Sequence, residues 1–101
     1  MDNAWVYILK CKDGSYYTGN TQNLNQRIVQ HQNGIYKGYT STRRPIELVY
    51  SQGFPTYDEA IRAERQLKGW SRAKKEALIR GDFELLHNLA ECRNVTHYIY
   101  R

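Results

Sequence analysis

Cysteine is scarce in this chain. Cys11 and Cys92 are the two present, and neither sits in a CxxC pair. Two lone thiols give no metal framework and suit a reducing compartment. Long apolar runs are missing as well. The most hydrophobic stretch near the start, Ala4–Leu9, is short and broken at Tyr7. A membrane-spanning helix needs about 20 apolar residues, so neither a span nor a signal peptide is expected, and the chain reads as soluble and cytoplasmic. The Asn94-Val95-Thr96 sequon has no meaning without secretion. Repeats, linkers and low-complexity segments are also lacking. The 101 residues therefore read as one domain over 1–101, with a core at 5–80 and a C-terminal helix and tail at 82–101.

Two scarcities bear on partners. Phenylalanine occurs twice against nine tyrosines and two tryptophans. Aromatics with a polar handle suit a sheet that is half wet or that faces a ligand. Acidic residues are outnumbered, ten against fifteen Lys and Arg, for a net charge of +5 and a pI near 9.3. That sign favours a polyanion such as nucleic acid, although many solvated surfaces carry a similar excess.

What is present is a run of short elements. Trp5–Lys10 is β-branched and aromatic and reads as a strand. Lys12–Ser15 is a turn, and Tyr16–Asn20 returns antiparallel to form a hairpin. Asn23 or Thr21 then caps an amphipathic helix that ends at Gly34. On it Leu24, Arg27, Ile28 and His31 fall at i, i+3, i+4 and i+7, one face of a helix. Arg27 and His31 thus lie on the core-facing stripe, where polar groups must find partners or line a cavity. Covering the core edge with their apolar parts is an equally open reading.

Ile35–Pro45 has no sustained period and reads as a loop. It interleaves Lys37, Tyr39, Arg43 and Arg44, a combination that suits phosphates and unstacked bases but also occurs on inert loops. Ile46–Ser51 is a third strand. Thr56-Tyr57-Asp58-Glu59 has the form of a capping box and opens a second helix. Its apolar stripe holds Tyr57, Ala60, Ile61, Ala63 and Leu67, and Glu64 falls in the middle of it. Burying that carboxylate alone would cost several kcal/mol, so it must meet a cation, a donor cluster or a metal.

Ser71–Arg80 is a short basic helix closed by Gly81, and Asp82–Cys92 a fourth helix bearing Phe83, Leu86, Leu89 and Ala90 on one side. Arg93–Arg101 is a tail expected to pack back. Cations on the second and third helices (Arg62, Arg65, Lys68, Arg72, Lys74, Lys75 and Arg80) are further candidates for phosphate contact. The order of elements predicts an α/β domain: a small, three-stranded, mainly antiparallel sheet with flanking helices.

The segments WVYILKCKDGSYYTGNTQNLNQRIVQH, GYTSTRRPIELVY and EAIRAERQLK, taken together, resemble the GIY-YIG nuclease domain. The likeness runs from about Trp5 to Ile79. It is greatest to the small stand-alone bacterial members, which are similar to the N-terminal catalytic domain of the excision nuclease subunit UvrC. The first naming motif survives here as Trp5-Val6-Tyr7 and the second as Tyr17-Thr18-Gly19, with Thr where Ile is usual.

The resemblance implies a metal-dependent DNA endonuclease working in DNA repair or recombination, with Mg²⁺ (or Mn²⁺) held by Glu64. It implies Tyr7 as the base or water-positioning group and Tyr17 as its partner. Arg27 would clamp the scissile phosphate, and His31 would orient a phosphate oxygen or donate toward the leaving group. Gly19 would let the backbone approach closely, and Tyr39 matches a further aromatic at the site. DNA is the expected partner, with Gly19, Lys37, Tyr39, Arg43 and Arg44 as its contacts and a targeting protein as an additional partner. The alternative is a nucleic-acid-binding module that is non-catalytic or activated by a partner.

Overall fold

A computed structural model describes residues 2–35 and 38–84. The strands are β1 (Ala4–Lys10), β2 (Tyr16–Thr21) and β3 (Glu47–Phe54); the helices are α1 (Leu24–Gln32), α2 (Tyr57–Lys68) and α3 (Arg72–Arg80). The sheet is antiparallel throughout, in the order β2-β1-β3. The expected α/β architecture is therefore the one observed. The chain divides between Lys68 and Gly69 into two compact units. The first holds the sheet, α1 and α2; the second begins at Gly69 and holds α3.

β1 is central because its residues are apolar on both sides. Ala4, Val6, Tyr7, Ile8 and Leu9 are all buried, as a strand covered on both faces must be. Successive side chains alternate across a strand. Tyr7 and Leu9 share one face with their cross-strand partners Gly19 and Tyr17. Leu24 and Ile28 of α1 pack there, together with Cys11 and Ile46. Val6 and Ile8 share the other face with Asn20 and Thr18. α2 runs against all three strands, and its inward line is Ala60, Glu64 and Leu67, spaced i, i+4, i+7; Ala60 and Leu67 are buried.

Local signals set the ends of the elements. Asn23, rather than Thr21, is the cap of α1: its side chain accepts from the Gln26 amide at 3.1 Å. Thr21 acts one step earlier, accepting from the Asn23 amide. Thr56 Oγ1 accepts from the Glu59 amide, giving the backbone half of the capping box. Ser71 caps α3, and Gly81 closes it in the left-handed region at φ 73°. β3 runs three residues beyond the expected Ser51, to Phe54. Pairing of Gly53 with Trp5 and of Phe54 with Ala4 carries the strand through Gly53, and it ends just before Pro55. β3 also carries a bulge where β1 passes from Ile8 to Leu9.

In the second unit, Lys74 does not join the solvent-facing cations. It is buried, with its ammonium 4.7 Å from the centroid of the Trp70 ring, a cation–π contact. The expected fourth helix beyond Glu84, the C-terminal tail with Cys92, and Lys37 lie outside the described residues. Among the described residues no helix is long and apolar enough to cross a membrane.

Candidate active site

The α1 face of the sheet holds a buried polar chain. Tyr7 Oη and His31 Nε2 are 3.0 Å apart, and His31 Nδ1 lies 2.6 Å from Thr40 Oγ1. All three residues are closed to solvent. The i+7 position on α1 turns His31 inward, and the loop folds back to deliver Thr40. Loss of hydration, and secondarily the Arg27 charge, lower the His31 pKa to about 4. The imidazole is therefore neutral at physiological pH, with one ring nitrogen a donor and the other an acceptor.

Gly19 exists for Tyr7. A Cβ at Gly19 would lie 2.6 Å from Tyr7 Oη and 2.7 Å from its Cζ. The phenol of β1 occupies the space that any side chain at the paired position on β2 would fill. Gly19 is itself buried, so the close approach it permits is that of an internal ring.

Aromatic contacts continue outward from this chain. Tyr17, half-buried, has its ring centroid 6.3 Å from Tyr7 and 5.3 Å from His31. Tyr39 stacks on Tyr17 at 6.2 Å and 22° and is 41% exposed. Arg43 covers Tyr39, with Cζ 3.9 Å from its centroid.

Arg43 is engaged on other sides too. It pairs with Asp13 at 3.1 Å and donates to the Tyr39 carbonyl at 2.8 Å. The bonds from Ser15, followed by the Arg43 charge, hold the Asp13 carboxyl below its usual range. The loop is thereby fastened to the β1–β2 turn. Lys12, Asp13, Thr42 and Arg43 line a shallow groove of about 420 Å³ there. Arg44 is set apart at the end of α1, donating to Gln32 O and Ser41 O. Two of the loop cations that suited phosphates thus hold the loop itself together.

Glu64 is reached by another route. Its side chain is only 13% exposed, as its place on the inward line of α2 requires. One carboxylate oxygen accepts from Asn20 Nδ2, and the other meets Lys68 Nζ at 2.6 Å, one turn along the helix. The demand for a cation or a donor is met by both. Arg27 connects the two groups: its Nη1 donates to the Asn20 carbonyl at 3.5 Å, and its charge acts on His31. Thr18 Oγ1, on the Asn20 face of β2, is buried with no hydrogen-bond partner among the described residues.

The structure thus brings Tyr7, Tyr17, His31 and Tyr39 into one contiguous series and ties Arg27 and Glu64 together through Asn20. Sequence reasoning missed Thr40 and Asn20. Asn20 carried a faint signal, a polar residue at the inner end of a strand that meets a helix; Thr40, in an aperiodic loop, carried none.

Residues 3–77 match the GIY-YIG catalytic domain. The chain belongs to the GIY-YIG family. Relatives are small proteins of similar span. The UPF0213 protein SSP2268 of Staphylococcus saprophyticus is 48% identical over 79 residues, covering 78% of this chain and 96% of that protein. The UPF0213 protein SERP0126 of Staphylococcus epidermidis is 44% identical over 79 residues, with the same coverage. Among solved structures, the UPF0213 protein BH0048 of Bacillus halodurans superimposes with a TM-score of 0.51 at 47% identity, covering 76% of this chain and 82% of that one. The protein EF2693 of E. faecalis gives 0.55 at 32% identity, covering 84% and 93%. As a GIY-YIG domain, the chain belongs to a nuclease superfamily.

Proposed function

We propose that this protein is a metal-dependent endonuclease that hydrolyses phosphodiester bonds in DNA, working in the cytoplasm in repair or recombination with a partner protein for targeting. The observation that carries the reading is the buried Thr40–His31–Tyr7 chain, which ends on a phenol and whose imidazole feels the Arg27 charge.

Neutral His31 can accept a hydrogen bond. With Nδ1–H donating to Thr40 Oγ1, the Nε2 lone pair faces the Tyr7 hydroxyl. That bond orients the Tyr7 hydroxyl, the group assigned as the base or water-positioning group. Depth separates the two tyrosines: Tyr17, half-buried, is the one suited to hold water or a phosphate oxygen. Full burial of His31, with both ring nitrogens engaged inside the protein, fits orientation of Tyr7 better than contact with a phosphate. The Arg27 guanidinium offers two donors in one plane for the scissile phosphate and for the charge that develops in the transition state.

The cation would be held by Glu64, with the Asn20 side-chain carbonyl as a further hard oxygen donor. Among the described residues no three His, Cys, Asp or Glu side chains cluster. A site with one carboxylate and retained waters suits Mg²⁺ or Mn²⁺. When bound, the cation would polarise the phosphate and offset its charge.

Incubation with duplex, nicked, flapped and branched DNA, in Mg²⁺, Mn²⁺ or chelator, tests the reading. Cleavage is expected with metal and not with chelator. Tyr7→Phe should slow cleavage by roughly 10²–10⁴, the usual worth of general acid–base catalysis. Arg27→Lys keeps the charge but loses the planar fork, so at least about a tenfold loss is expected. Equal rates for wild type and Arg27→Lys would remove the clamp.

A second reading, a nucleic-acid-binding module without turnover, is favoured by one observation: both oxygens of Glu64 already have partners. DNA binding without cleavage under any of these cations would select it.

A further inference from the structure

We propose that Lys68 is a resident counter-cation for Glu64, filling the place of a divalent ion and giving way when that ion binds. The inference rests on Glu64 being the metal ligand, as put forward above. Three features of the geometry carry it.

The first is position. The Lys68 ammonium lies 2.6 Å from Glu64 Oε2, a tight contact between full charges. The second is asymmetry of burial. The Glu64 side chain is 13% exposed and that of Lys68 56% exposed. The carboxylate is fixed under the helix, whereas the lysine reaches it from solvent on a flexible four-carbon stem. Releasing Lys68 to water costs little, while leaving Glu64 without a cation would strand a largely buried charge. The third is division of labour at the carboxylate. Asn20 Nδ2 holds Oε1 and sets the rotation of the group. Lys68 takes Oε2 alone, so the exchangeable partner and the orienting partner sit on different oxygens.

This arrangement keeps the metal-free domain satisfied and makes its metal affinity a competition. A cation arriving at Glu64 must first displace a positive charge, and the released ammonium is then free to meet a phosphate. Lys68 is thus a positioning residue, acting on the cation through Glu64.

The test is Mn²⁺ binding to the full chain without DNA, read by the loss of the free-Mn²⁺ paramagnetic resonance signal. Lys68→Met keeps the stem and removes the charge, and should tighten Mn²⁺ by about tenfold because a like charge no longer opposes it. Lys68→Arg keeps the charge and should stay near wild type. The gain should vanish when Glu64→Gln is added, and circular dichroism melts should find every variant folded. If wild-type binding depends on Glu64 but Lys68→Met binds equally or more weakly, the counter-cation role is overturned and the metal reading survives. If neither wild type nor Lys68→Met binds Mn²⁺ through Glu64, the metal reading falls and this proposal falls with it.

Discussion

The Tyr7–His31–Thr40 chain and the Glu64–Asn20–Lys68 group solve the same problem, polar atoms kept beside a core, in opposite ways. The first is closed to solvent and uncharged. Its members come from β1, α1 and the loop after it, and each hydrogen bond is made between neutral groups in a low-dielectric setting. The second keeps full charges and leaves one partner in water. A network of neutral groups under cover is pre-set, and disturbing it should register as stability. A charged group with a solvent-facing partner can change partners, and disturbing it should register as binding.

Acid should break the contrast most strongly. His31 has its pKa lowered to about 4, from an unfolded value near 6.5. Protonation therefore favours the unfolded chain, and the His31 contribution is complete above about pH 6.5 and lost as pH falls toward about 4. The loss amounts to about 3 kcal/mol. Denaturant melts at stepped pH should follow that window, and a His31→Gln variant should lack it. A wild-type stability that is flat from pH 6.5 to 4.5 would mean that His31 carries its proton in the fold.

Gly19→Ala should come next. Its methyl would meet Tyr7 Oη and Cζ inside van der Waals range, so the ring must move and the His31 bond must break. Overpacking of this kind costs about 1–3 kcal/mol. Thermal midpoints measure it, and cleavage should fall with the displaced phenol. A variant as stable and as active as wild type would show that the ring does not need that space.

Glu64→Gln in chelator should have the smallest effect on stability. It leaves Lys68 in water, and partly exposed ion pairs are worth about 0–1 kcal/mol. Melting should shift little while cleavage disappears. Mg²⁺ near saturation should raise the wild-type midpoint and leave that of the variant unmoved. A large drop in chelator would make Glu64 a structural residue.

The legible part of the site was the part carried by period. His31 and Arg27 on the apolar stripe of α1, and Glu64 on that of α2, follow from 3.6-residue spacing. The helix caps follow from Asn23, Ser71 and Gly81, because capping is settled within three or four residues. The loop was legible only as a loop. Its cations suited phosphate contact or an inert loop alike, and neither reading foresaw that Arg43 bonds Asp13 thirty residues earlier and Arg44 bonds Gln32 twelve earlier. Lys74 read as a surface charge, because a basic neighbourhood in sequence does not reveal an aromatic ring one turn away as its cover.

By itself, the sequence determined which residues face inward and where elements begin, since those choices are made by neighbours along the chain. Tertiary structure decided which inward polar groups meet. Tyr7 finds His31 across 24 residues, and Asn20 finds Glu64 across 44. It also decided why residue 19 must lack a side chain, since the ring that fills its place stands on another strand. Such pairings are fixed by register and by helix placement over the sheet, and no local spacing encodes them.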